Sequence, residues 1–170
     1  MSSQPPADPA RLPAPSLEEI RAFINELVPF QKHVGADVIA IGDDCATAVL
    51  PDSADTLNHV GTRHAGALFL VAEAAAGAAL AGALAEWITA TVFVLRESRM
   101  TYRRKARGEI RAVAEFPGRE LRSTVRSLAA GERFEATVTS SLQDGEGECV
   151  AEAEFTYHCR VRLTEPSGQA

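Results

Sequence analysis

The sequence predicts an α+β fold in which an antiparallel sheet wraps around one long central helix, with an extra helix before it. A nearly uncharged stretch rich in Ala and Gly spans residues 65–85, and three later segments alternate apolar and polar residues over long distances. Alternation with period two indicates antiparallel strands with one buried face. A helix that is apolar on most sides must be enclosed, so a sheet curled around it accounts for both patterns.

The composition limits the classes of function. A chain of 170 residues, 46% hydrophobic and 24% charged, is long and apolar enough for one domain with a buried core. Its net charge of −6 argues against binding to nucleic acid, which requires neutralisation of phosphates. The three cysteines form no CxxC pair, which is typical of reduced thiols in a cytoplasmic protein. No basic segment followed by an apolar run indicates a signal peptide.

The N-terminal region divides into an arm and a helix. Residues 1–15 hold five of the nine prolines, which predicts a disordered arm outside the fold. Ser16 and Glu19 have the spacing of a capping box, which starts a helix, and Pro29 ends it. The predicted domain covers residues 16–163, and residues 164–170 are expected to form a flexible tail.

The central apolar stretch is expected to be a buried helix and not a membrane span. Short β-like runs at 38–41 and 46–50 precede it, and a loop at 51–64 leads into it. The helix has the length of a membrane span. However, Glu73 near its middle costs about 2.5–3.5 kcal/mol on insertion scales, and alanines do little to offset that cost.

The second half of the chain reads mostly as strands. Residues 89–95 are rich in β-branched types and predict one strand. The alternating segments at 109–116, 133–142 and 149–163 predict three more. Between the first two of these, an amphipathic helix at 119–130 is closed by a glycine, and a turn at Asp144 joins the last two.

A motif leads into the central helix. An asparagine, a glycine, a histidine and a second glycine occur at defined spacing, and an acid follows the histidine by nine residues. These residues are Asn58, Gly61, His64, Gly66 and Glu73. The motif resembles the signature of hotdog-fold acyl-CoA thioesterases of the phenylacetate-pathway type, and the order of elements is similar over residues 35–163. Ala65 stands where that family usually has glycine, and the helix at 119–130 resembles an uncharacterised branch.

Glu73 carries the predicted chemistry. A carboxylate in an apolar helix is costly unless it has a partner, and burial raises its pKa toward values useful for a general base. The resemblance implies that Glu73 activates water or attacks the thioester itself, across a dimer interface from the Ala65 N–H of the second chain. A buried glutamate hydrogen-bonded to loop backbone is the alternative.

Backbone N–H groups at the start of the helix form the predicted oxyanion site. These groups lack partners within the helix and carry the positive end of its dipole. Ala65 and Gly66 are therefore placed to polarise a thioester carbonyl, and alanine retains the N–H that this requires. Alternatively, Gly66 only allows tight packing.

Three more residues have implied roles. Asn58 orients water or substrate through its amide, or else forms an Asx-type turn. His64 is expected to brace the loop by hydrogen bonding and not to titrate in the reaction. Thr91 matches a family position where a hydroxyl helps to hold the attacking water, although in isolation it is an ordinary strand residue.

One basic cluster stands out in this acidic chain. It comprises Arg96, Arg99, Arg103, Arg104, Lys105 and Arg107. Arginine forks match phosphate oxygens, so Arg103, Arg104 and Arg107 are expected to hold the phosphates of coenzyme A. A solvated strand edge that resists aggregation is the alternative. The four histidines lie in separate elements, so no metal site is expected, and no cofactor is needed beyond the coenzyme A of the substrate.

Together these residues predict an enzyme that hydrolyses acyl-CoA thioesters as a homodimer, or as a tetramer built from two dimers. The expected partner is the acyl-CoA substrate, with neither nucleic acid nor membrane involved. A non-catalytic hotdog module that binds an acyl-CoA or an acyl-carrier ligand is the alternative, which Ala65 favours. Dehydratase chemistry is a weaker reading, because the His-Phe-Pro-Gly-type loop of carrier-protein dehydratases is absent.

Overall fold

The computed structural model describes residues 14–162, in which six strands form one antiparallel sheet around a long helix. The predicted tail at 164–170 lies outside the described residues, as does all but the last two residues of the predicted arm at 1–15. The helices are α1 (Leu17–Leu27), α2 (Pro29–Val34), α3 (Ala65–Ala83) and α4 (Gly118–Ser127). The strands are β1 (Asp37–Ile41), β2 (Cys45–Leu50), β3 (Thr91–Tyr102), β4 (Ile110–Glu115), β5 (Arg133–Gln143) and β6 (Cys149–Val161).

The sheet has the order β1-β2-β4-β5-β6-β3, with every neighbouring pair antiparallel. Its inner face carries the alternating apolar residues predicted for β4, β5 and β6, because side chains on a strand point alternately to the two faces. Helix α3 packs mainly against β2, β4 and β5, and much less against β6. The predicted hotdog architecture, with its N-terminal helix, is confirmed.

Helix α3 is buried except along one side. Fourteen of its nineteen residues are buried. The other five span an arc of about 120° at 100° per residue, and we call them the open stripe. They are Ala65, Gly66, Phe69, Glu73 and Gly77. By length and composition α3 could cross a membrane, but 72% of its most apolar window is buried within the domain.

Strand β3 forms one edge of the sheet and differs from its prediction. A strand was expected at 89–95, whereas the structure places it at Thr91–Tyr102, after a 3-10 helix at Ala85–Ala90. The strand continues through charged residues because most of its side chains are solvent-exposed, so no apolar alternation marks its second half. A register shift between Leu95 and Glu97 also interrupts the pattern. Val92, Val94 and Leu95 remain exposed on this edge.

The N-terminal helix begins and ends as predicted. Ser16 and Glu19 form the capping box, and α1 ends at Leu27. Pro29 then begins a second short helix, since proline is favoured in the first turn. Asn25 fastens α1 to β1 by bonding to both the N–H and the carbonyl oxygen of Val38.

Candidate active site

A buried arginine holds the loop that leads into α3. Arg63 is 3% exposed. Its guanidinium donates to the carbonyl oxygen of Gly108 at 2.9 Å and to Thr56 Oγ1 at 2.5 Å, and forms an ion pair with Asp52. These contacts tie the loop to the segment after β3, so they fix where α3 begins. Sequence reasoning missed Arg63, because its partners lie up to 45 residues away.

Asn58 closes a turn in the same loop. Its Oδ1 accepts from the N–H groups of Val60 and Thr62, both at 3.1 Å. Its Nδ2 donates to Thr62 Oγ1 at 2.8 Å. The amide is therefore engaged in an Asx-type turn, although the half-buried side chain still borders the groove described below.

The start of α3 presents one free N–H group. His64 caps the helix, and its Nδ1 accepts from the N–H of Gly66 at 2.9 Å. The N–H of Ala65 donates to no acceptor within residues 14–162. Tyr102 Oη donates to the Ala65 carbonyl oxygen at 3.1 Å and so holds the end of β3 against the helix start. Of the two predicted oxyanion donors, Ala65 is the one left available.

A groove of about 490 Å³ lies beside this free N–H. It is lined by Ala65, Leu68, Tyr102 and three consecutive basic residues, Arg103, Arg104 and Lys105. Arg103 pairs with Glu152, and Arg104 pairs with Glu148. Arg107 is not among the lining residues; it donates to the Gly61 carbonyl oxygen at 3.3 Å. Lys105, which was not among the three predicted phosphate-binding residues, lines the groove where Arg107 was expected.

Within residues 14–162, the Glu73 carboxyl has one polar side-chain neighbour, which lies 84 residues further along the chain. Tyr157 Oη, on β6, lies 3.3 Å from both Glu73 Oε1 and the Glu73 carbonyl oxygen. Burial raises the pKa of the Glu73 carboxyl, and the hydrogen bond from Tyr157 opposes that shift. Phe93 packs edge-on against the Tyr157 ring at 5.7 Å between centroids. No sequence signal beyond the inward position of Tyr157 pointed to this pair.

Thr91 lies apart from Glu73 within one chain. It pairs with Val161, whereas Leu95 pairs with Tyr157. Four strand residues correspond to about 13 Å. The Thr91 hydroxyl is buried and has no partner within the described residues.

The predicted site therefore falls into two parts. Ala65, Gly66, His64 and Asn58 meet at the start of α3. Glu73 lies eight residues further along, which is about 12 Å at 1.5 Å per residue. One carbonyl group cannot contact both parts of a single chain. Residues 14–162 contain no group of three or more His, Cys, Asp or Glu residues able to hold a metal ion.

The fold is a hotdog fold of the thioesterase-like type. The chain belongs to the family described as Domain of unknown function (DUF4442), which matches residues 18–159. No curated protein matches it.

Three solved structures illustrate the similarity. A Pseudomonas aeruginosa protein of unknown function, named "Probable Thioesterase", is 26% identical with a TM-score of 0.69, over 86% of this chain and 97% of that one. A thioesterase family protein from Silicibacter pomeroyi is 15% identical with a TM-score of 0.69, over 86% and 99%. A mutant thioesterase from Pseudomonas aeruginosa is 21% identical with a TM-score of 0.67, over 88% and 96%.

Proposed function

We propose that this protein hydrolyses acyl-CoA thioesters as a homodimer, with Glu73 as general base or nucleophile. The observation that carries the proposal is the Glu73 carboxyl itself, half-buried on the open stripe of an otherwise apolar helix. A desolvated carboxyl with a raised pKa suits proton abstraction near neutral pH. The thioesterase names of the structural neighbours support the same class of reaction.

The proposed reaction has two possible forms. As general base, Glu73 takes a proton from water while the water oxygen bonds to the thioester carbon; the C–S bond then breaks and the proton passes to the leaving thiolate. As nucleophile, the carboxylate bonds to that carbon and expels the thiolate, and water cleaves the resulting anhydride. In both forms negative charge develops on the carbonyl oxygen, which the Ala65 N–H of the second chain stabilises.

The exposed edge of β3 supports the dimer. Among the described strands, nothing pairs with the outer side of this twelve-residue strand, and Val92, Val94, Leu95 and Tyr102 are exposed along it. Such an edge is a template for pairing with another strand. If β3 of a second copy pairs antiparallel with this edge, the two strands run in opposite directions. The Tyr102 end of the second β3, which holds the start of that copy's α3, then lies toward the Thr91–Leu95 half of this β3. In this chain, Leu95 pairs with Tyr157.

The groove at the start of α3 suits the nucleotide end of coenzyme A. Lys105 is exposed within it, and Arg103 and Arg104 lie beside Lys105 in ion pairs that a phosphate could displace. Phosphate oxygens match the hydrogen-bond donors of both residue types. Ala65, whose N–H is free, also lines the groove, so bound coenzyme A would extend from the basic residues toward the reacting carbonyl.

The test is a thiol-release assay over acetyl-, octanoyl- and phenylacetyl-CoA. We expect turnover by the wild type and a loss of about 10³-fold in Glu73→Gln, since general base catalysis contributes 10²–10⁴-fold. Glu146→Gln, an exposed residue in the β5–β6 turn, makes the same chemical change elsewhere and should retain full activity. Turnover unchanged in Glu73→Gln would contradict the assigned role.

A second candidate is a module that binds acyl-CoA or an acyl-carrier ligand without cleaving it. The engagement of the Gly66 N–H by His64 favours it, because only one of the two expected oxyanion donors is free. Such a module would show thermal stabilisation by acyl-CoA without thiol release.

A further inference from the structure

Beyond its first turn, α3 contains two glycines, Gly77 and Gly82, and packing within the chain explains only one of them. At Gly82, a Cβ atom would lie 2.2 Å from the Gly42 carbonyl oxygen, so no side chain fits. At Gly77, the nearest atoms to a Cβ would be Tyr157 Oη at 3.6 Å and Glu73 Oε1 at 3.8 Å, which are ordinary contact distances. Alanine is the better helix former and would fit at Gly77, so the missing side chain has its reason outside this chain's own packing.

The space left by Gly77 lies against the reactive carboxyl. Gly77 is half-buried, one helical turn after Glu73 on the open stripe, whereas the residues on either side of it are buried. A methyl group at this position would contact Glu73 Oε1 directly. Whatever occupies the space is therefore adjacent to the atom that must meet water or the thioester carbon.

Beyond Gly77 and Tyr157, the neighbouring positions on the same face of the sheet are apolar. On the sheet, Cys159 follows Tyr157 on the same face of β6 and pairs with Phe93 on β3 and Phe134 on β5. Both phenylalanines are only partly buried and pack against the core, as do Trp87 and Ile88 of the following 3-10 helix. A partly exposed row of aromatic side chains is typical of the lining of an apolar ligand pocket. At the edge of this row, Arg126 also lies over the Trp87 ring.

We infer that Gly77 determines which acyl groups this protein accepts: it leaves room for an apolar acyl chain, which passes the Glu73 carboxyl and runs over Gly77 toward the Phe93–Phe134 row. The substrate class is thus a thioester with an extended apolar acyl group, and short or polar acyl groups leave the row unfilled. This inference rests on the proposed thioesterase function.

The test compares Gly77→Ala and Gly77→Val with the wild type on acetyl-CoA and octanoyl-CoA. One or a few carbon atoms in an apolar pocket change discrimination by about 10–200-fold. For Gly77→Val we therefore expect kcat/KM for octanoyl-CoA to fall by about tenfold or more, and kcat/KM for acetyl-CoA to change by less than about threefold. Gly77→Ala should show a smaller change in the same direction, with an unchanged or higher Tm.

The matched control is Gly145→Ala, where a Cβ atom would have no neighbour within 4 Å and both substrates should be unaffected. Equal losses of kcat/KM on both substrates would overturn the inference. If light scattering showed that the Gly77 variants no longer form a dimer, this would also overturn it, because Gly77 would then lie in a contact between the helices of two chains. If the wild type releases no thiol, the proposed function fails. In that case, the binding of octanoyl-CoA and of coenzyme A to the same variants is measured by calorimetry, which tests the inference by itself. We still expect Gly77→Val to weaken the binding of octanoyl-CoA and not that of coenzyme A.

Discussion

The start and the middle of α3 both carry polar groups on an apolar helix, but the groups at the start are exposed and the group in the middle is half-buried. The start is exposed, and the side chains that shape it bond to residues nearby in sequence: His64 to Gly66, and Asn58 to Thr62. Tyr102 and Arg63 add bonds to distant parts of the described residues. In the middle, Glu73 is half-buried, and its side-chain partner is Tyr157, 84 residues away. At the exposed start, the Ala65 N–H remains free in water. In the middle, burial raises the pKa of the Glu73 carboxyl. In the proposed mechanism, each part supplies one requirement of thioester hydrolysis, and neither suffices alone.

After the loss expected for Glu73→Gln, the largest effect comes from removing the free N–H at the start of the helix. Ala65→Pro deletes this donor at the first helical position, where proline is favoured. His64 precedes it with φ −65° and ψ 137°, which is compatible with a following proline. We expect kcat to fall by about 10²–10³-fold, as for loss of an oxyanion donor, with little change in Tm. Ala65→Ser, which keeps the N–H, is the control.

The next effect concerns Tyr157, the hydrogen-bond partner of Glu73 in the middle of α3. Tyr157→Phe removes the hydrogen bond that lowers the pKa of Glu73, so this pKa rises further above its ordinary value. Because the deprotonated carboxyl is the active form, the acid limb of the kcat/KM profile should move to higher pH, with a loss of about tenfold on that limb. Phe155→Leu changes the neighbouring buried aromatic residue of β6, and should lower stability without moving the limb.

A smaller effect is expected on stability. The folded-state pKa of Glu73 is raised, so its charged form destabilises the fold, and this penalty grows as pH rises from the unfolded pKa through the folded one. Glu73→Gln should therefore be more stable than the wild type by about 0.5–2 kcal/mol at pH 8, as at other active-site positions. The difference should shrink toward pH 4. If the wild type and Glu73→Gln had equal Tm values at both pH 4 and pH 8, the Glu73 carboxyl would be well solvated in the folded protein.

The smallest expected effect belongs to the basic groove. Exposed ion pairs contribute about 0.2–1 kcal/mol, so Lys105→Ala should raise KM for acyl-CoA by about twofold to fivefold and leave kcat unchanged. The increase should diminish at high salt. Arg111→Ala, an exposed change on β4 outside the groove, should leave KM unaltered.

The sequence predicted the layers of the fold well, because burial leaves periodic patterns. The alternation in β4, β5 and β6 and the apolar α3 are the direct result of facing one core. The second half of β3 was missed because an edge strand exposes most of its side chains and so has no pattern to read. Within the site, the motif pointed to Glu73 and Ala65. The partners Tyr157 and Arg63 were not predicted, because only the folded topology brings distant residues together.

The most direct test of an active site shared between two chains is complementation. Ala65→Pro and Glu73→Gln chains with different tags are co-expressed, and the heterodimer is purified over both tags. It contains one site with an intact Glu73 and an intact Ala65 N–H from opposite chains, so we expect about half of the wild-type activity, far above either mutant homodimer. Activity no higher than that of the two homodimers would contradict a site completed by the second chain.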